Sequence, residues 1–220
     1  MEKSFRFLWQ FSAPNLAVLV GFAAVVTVGA HLTSGGYDLN NMFATYFGMF
    51  PLMSLMILFM FSLALCTSNL DMAVSFGARR RDFFWAIQAI MLLYALVVWV
   101  LQAIMSRLPA ILGWQGLERW ELLLGNGMNP FTYLLMAMTV FAMGCVCGLV
   151  YVRSRLWGTI VLLVFVVLGV SSVVVTLFTA DHRHTGVWGD LPWLLTVGFV
   201  VVFAACEAFL WRFVNRYCVR

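Results

Sequence analysis

Six long apolar stretches, 14–32, 48–66, 83–106, 128–152, 157–178 and 191–214, are the feature that most constrains this chain of 220 residues. Each matches the roughly 20 residues that cross about 30 Å of hydrocarbon as a helix. They are too long for buried strands and lack the two-residue alternation of an outer-membrane barrel, so each is expected to be helical, with its backbone groups satisfied internally. A soluble globular domain is excluded, because 64% of the residues are hydrophobic and 10% charged, against roughly half and a quarter in soluble domains. The expected fold is an all-α integral membrane bundle of six spans, forming a single domain over 1–220 without repeat, linker or low-complexity segment.

The placement of charge orients the bundle. In a six-span arrangement Lys3, Arg6, Arg79, Arg80, Arg81, Arg153, Arg155, Arg212, Arg216 and Arg220 fall on one side, and Arg107, Arg119 and Arg183 on the other. Cytoplasmic loops carry the excess of basic residues, so both termini are expected in the cytoplasm and the chain in the cell membrane. Trp85, Trp157 and Trp211 mark the inner interface, and Trp114, Trp120, Trp188 and Trp193 the outer one. The net charge of +4 thus reads as topology and gives no reason to expect a nucleic-acid partner.

Two pieces outside the spans carry pattern. Residues 1–13 place Lys3, Arg6 and Gln10 on one helical face and Phe5, Leu8 and Trp9 on another, which predicts an interfacial helix lying on the lipid of the inner leaflet before Pro14 opens the first span. The loop between spans two and three reads TSNLDMAVSFGARRRD over 67–82. Ser68 and Asp71 have capping spacing, Leu70, Ala73, Val74 and Phe76 form an apolar side, and Gly77 suits a left-handed stop. A short helix of this kind either docks in a groove on another protein or rests its apolar face on the membrane.

The run from Met72 through Ala73, Val74, Ser75, Phe76, Gly77, Ala78, Arg79, Arg80, Arg81, Asp82 and Phe83 to Phe84 resembles the loop between spans two and three of exporter-type (type-2) ABC transporter permeases. A weaker echo is Gly144–Leu149 followed by Tyr151, Val152 and Arg153 before span five. The resemblance implies a transport subunit that exports a hydrophobic or amphipathic drug, peptide or lipid, working as a homodimer or with a sibling permease. It implies that ATP and Mg are held by a separate cytoplasmic ABC ATPase subunit. The segment 70–82 would then be the coupling helix, with Leu70, Ala73, Phe76, Gly77, Arg79, Arg80 and Asp82 as its contacts. The residues independently support this division of labour: Lys3 is the only lysine, and no Gly-x-x-x-x-Gly-Lys-Ser/Thr segment exists to hold nucleotide phosphates, so no cofactor is expected in this chain.

Inside the spans, Glu207 is the only acid, expected to snorkel or to pair with Arg212 or Arg216. A proton or ion relay would need several facing acids. Met49, Met53, Met56 and Met60 form a stripe on span two, either packing against neighbours or lining a path for variable apolar cargo. Gly144 and Gly148 form a Gly-x-x-x-Gly that permits close helix contact within the subunit or across a dimer seam. Cys66, Cys145, Cys147 and Cys206 read as packing residues, and Cys218 as a juxtamembrane thiol open to acylation. His182 and His184 flank Arg183 without carboxylate or thiolate companions, so no metal is expected, and no protease or hydrolase motif points to an enzyme. A six-span assembly factor or intramembrane enzyme without an ATPase partner is the alternative.

Overall fold

The computed structural model describes residues 2–33, 39–69, 80–112, 130–181 and 191–216. Six α-helices carry these residues: α1 (Glu2–Thr33), α2 (Leu39–Ala64), α3 (Arg80–Leu112), α4 (Pro130–Arg153), α5 (Arg155–Asp181) and α6 (Leu191–Arg216). A π-helical turn, Leu65–Asn69, extends α2, and no strand occurs among the described residues. Among the described residues, three stretches, Arg81–Ala103, Phe131–Arg153 and Thr196–Val214, are long and apolar enough to cross a membrane. Met53–Thr67 and Arg155–Gly169 are shorter apolar helical stretches. These helices mark a membrane protein.

Helix α4 is the hub, because it is apolar on every side and meets α2, α3, α5 and α6. Of its stretch Phe131–Arg153, 61% is buried within the subunit, against 17% of Thr196–Val214 on α6. Helix α5 is apolar all round yet exposed, with Leu156, Ile160, Leu163, Val164 and Val167 turned outward. Its many valines have only modest intrinsic helix preference. In lipid that preference yields to the need to satisfy every backbone group within the segment.

Cross-helix contacts fix the directions. Ser54 with Tyr133, and then Cys66 with Gly148, show that α2 and α4 run parallel. Thr132 with Thr196, followed by Thr139 with Phe199, shows the same for α4 and α6. Helix α3 runs against α6, as Phe84 meets Trp211 and Gln88 meets Glu207. In the middle, Phe61 stacks on Tyr94 at 4.8 Å, and Phe141 lies 6.4 Å from each. Such aromatic pairs each add about 0.5–1.5 kcal/mol beyond their buried area.

The first helix departs from the sequence expectation. It continues unbroken through Pro14, so residues 2–13 and the first apolar run form one helix. Leu8 and Ser12 are buried, and the Tyr94 hydroxyl donates to the Ser12 carbonyl at 2.6 Å. Tyr94 lies 14 residues beyond Arg80 along α3, roughly 20 Å from that end at about 1.5 Å per residue. The segment before Pro14 therefore runs beside the bundle. Arg6, Trp9 and Gln10 stay exposed while Phe5 and Leu8 pack inward, so only part of the expected apolar face meets protein.

Candidate functional site

The end of the bundle formed by the π turn, the start of α3, the α4–α5 corner and the end of α6 gathers most of the residues that carry pattern. Arg81, Arg153, Arg155 and Arg212 are all exposed there. With only five residues between Thr33 and Leu39, α1 and α2, which pack together, must run in opposite directions, which brings the exposed Arg6 toward the same end.

Leu70, Ala73, Phe76, Gly77 and Arg79 lie outside the described residues. What flanks them is firmly built. On one side, Ser68 belongs to the π turn instead of opening a new helix, so the second helical run ends at Asn69, three residues beyond the expected end. Leu65 and Cys66 in this turn are buried, and Gly148 on α4 approaches so closely that a β-carbon there would stand 2.7 Å from the Leu63 carbonyl oxygen and 3.0 Å from Cys66 Cβ. On the other side, Arg80 is the first residue of α3 and Asp82 sits half-buried in its first turn. A carboxylate at that position favours the positive end of the helix dipole. Phe83, Phe84, Ala86 and Ile87 follow at once and are all buried.

Gly144 and Gly148 face α2 within the same subunit. A β-carbon at Gly144 would strike the Ser62 hydroxyl and come 2.7 Å from the Phe59 carbonyl oxygen. Cys145 Sγ reaches the Ser62 carbonyl oxygen at 3.7 Å, which continues the seam. The methionine stripe divides: Met53 packs partly against the core, whereas Met56 and Met60 are each 52% exposed on the flank of the subunit. Met49 is on α2, but its side chain is outside the described residues.

Glu207 does not behave as expected. Arg212, five residues on, is rotated by about 140° around the helix at ~100° per residue, and it is exposed. Glu207 instead turns into the seam between α3 and α6, where Gln88 Nε2 donates to its Oε2. Oε1 is buried without a hydrogen-bond partner. One turn nearer the arginine-rich end, the rings of Phe84 and Trp211 meet edge-on at 5.0 Å. The two contacts are successive rungs of one antiparallel seam, since 84 to 88 and 211 to 207 are each four residues.

Gln88, Trp211 and Phe84 as a group escaped the sequence reading. Gln88 is a polar residue in a long apolar run, four residues from Phe84, and Glu207 stands four from Trp211. That matched spacing is the signal that could have joined them. Gly158 was also missed: a β-carbon there would collide with the Tyr151 backbone, and its carbonyl accepts from Cys147 Sγ at 3.7 Å. Only Ser154 separates α4 from α5, so this glycine lets α5 fold back along α4.

Among the described residues, no group of three or more His, Cys, Asp or Glu is arranged to hold a metal. His182 and His184 lie outside them. The chain matches no protein-family model, no curated protein and no solved structure.

Proposed function

We propose that this chain is the transmembrane permease subunit of an ATP-binding-cassette exporter. In this reading all six helices span the cell membrane, with both termini in the cytoplasm and the arginine-rich end facing the ATPase. The segment 70–82 is the coupling helix, and its contacts are Leu70, Ala73, Phe76, Gly77, Arg79, Arg80 and Asp82. ATP and Mg are bound by a separate cytoplasmic ATPase subunit, and a second copy of the chain or a sibling permease completes the pathway. Cargo is hydrophobic or amphipathic, in keeping with an interior that holds few charges.

The observation that supports this reading best is the way the segment is tethered. Its N-terminal side leaves a π turn whose Leu65 and Cys66 are buried against α4. Its C-terminal side enters α3 through Phe83 and Phe84, also buried. A displacement of the segment is therefore delivered to α2, α3 and α4 together, as a rigid-body transmission between two bundle states requires. Bare topology would need basic residues there but no such anchoring. The test is co-purification from native membranes: a Walker-motif ATPase should accompany the tagged chain and be lost from Phe76→Ala combined with Arg80→Glu. Purification of the wild-type chain without any ATPase would contradict it.

A further inference from the structure

We infer that the seam between α3 and α6 is a binding site for a hydrophobic organic cation, with Glu207 as its counter-ion and Phe84 and Trp211 as its aromatic wall. The geometry of one carboxyl group carries this. Glu207 lies within the apolar stretch Thr196–Val214, where a charged side chain is expensive and persists only with a partner or a task. Packing accounts for only half of it. Oε2 is met by the Gln88 amide, a neutral donor, while Oε1 is removed from water and meets no donor. Arg212 does not turn toward it, and its chain neighbour Cys206 is a buried free thiol, so none of these offers a compensating positive charge. Arg81, on α3 near this end of the seam, is exposed and lies two turns before Gln88.

The surroundings suit a delocalised or quaternary cation better than a metal ion or a small hydrated ion. A metal would need several oxygen or sulfur ligands, and no such group is arranged among the described residues. The aromatic face of the seam is continuous: Trp85 lies edge-on to Phe84 at 5.7 Å, and Phe84 lies edge-on to Trp211 at 5.0 Å. Ring faces attract cations within about 6 Å, most strongly for Trp. Trp85 and Trp211 are 47% and 40% exposed on the flank of the subunit, which gives a lipid-dissolved cation a lateral approach. The carboxyl group stands one turn deeper than the Phe84–Trp211 pair, roughly 12 Å along α3 from Arg80 at about 1.5 Å per residue. An amphipathic cation entering from the membrane would meet the rings first and the charge behind them. As a cargo site this rests on the export reading, whereas the binding itself does not.

The test is equilibrium binding of radiolabelled tetraphenylphosphonium to the full chain in lipid nanodiscs, without nucleotide or ATPase. Tetraphenylborate, of like size and opposite charge, serves as the comparison. Wild type should bind the phosphonium saturably and prefer it to the borate. Glu207→Gln keeps a side chain able to pair with Gln88, and it should weaken phosphonium binding at least about tenfold, with its unfolding midpoint near that of wild type. Trp211→Leu should weaken it too. Equal phosphonium affinity in Glu207→Gln and wild type would overturn the assignment, as would the absence of saturable binding to wild type. Because no ATPase takes part, failure here is separable from failure of the coupling reading.

Discussion

Gly144 on α4 stands so close to Ser62 on α2 that a β-carbon would be driven into the Ser62 hydroxyl and to 2.7 Å from the Phe59 carbonyl oxygen. Backbone cannot move aside cheaply, so Gly144→Ala should destabilise the protein by about 1–3 kcal/mol, the usual range for overpacking. Gly148→Ala should behave alike, since its β-carbon would meet the Leu63 carbonyl oxygen. Gly198 has nothing within 4 Å of a β-carbon, and Gly198→Ala should be neutral or stabilising by up to about 1 kcal/mol through helix propensity. Unfolding by SDS titration in mixed micelles reads all three. Equal effects at Gly144 and Gly198 would refute the close packing of α2 and α4.

Tyr94 joins α3 to α1 through two hydrogen bonds, donating to the Ser12 carbonyl at 2.6 Å and accepting from Asn15 Nδ2 at 3.3 Å. Tyr94→Phe keeps the stack on Phe61 but loses both hydrogen bonds, and should cost about 1–2 kcal/mol. Tyr94→Ala removes a fully buried ring and should cost about 3–5 kcal/mol. The same SDS titration measures both. A Phe variant as damaging as the Ala variant would contradict the weight given to the ring's packing against Phe61 and Phe141.

The corner between α4 and α5 should be intolerant of a side chain at Gly158. Gly158→Val should lower the yield of folded, monodisperse protein in size-exclusion chromatography, whereas Thr159→Ala, at an exposed neighbour, should not. Thr159 hydrogen-bonds only back to the Arg155 carbonyl at 2.8 Å in its own helix. Indistinguishable profiles for the two variants would contradict the tight return of α5.

Cys66, Cys145, Cys147 and Cys206 are buried free thiols. Reaction with maleimide needs both access and thiolate character. In a Cys218→Ser background, intact mass spectrometry should therefore find the folded protein essentially unmodified and the SDS-denatured protein carrying four adducts. Rapid labelling of the folded protein would contradict the burial of these positions.

Helix type and class were legible in the sequence because apolar runs of this length admit little else, and a bilayer enforces internal hydrogen bonding. Cys66, Cys145, Cys147 and Cys206 are buried, in keeping with their reading as packing residues, and Cys218 lies outside the described residues. The path of the first helix was not legible. Its amphipathic face suits lipid and protein equally, and Pro14 looks like a boundary although the helix runs through it. Glu207 was misplaced for a related reason: spacing along one helix suggested Arg212, while the true partner, Gln88, comes from a helix 119 residues away in the chain. The Gly-x-x-x-Gly signalled close contact, but only the fold says that α2 fills it.

The most direct test of the coupling account is vanadate-sensitive ATPase activity of the purified permease–ATPase complex in proteoliposomes, compared between wild type and Phe76→Ala combined with Arg80→Glu. The account predicts that the double variant, with its permease still folded and membrane-inserted, loses most of the activity that depends on the permease. Wild-type, transport-coupled activity in that variant would contradict the assignment of 70–82 as the coupling segment.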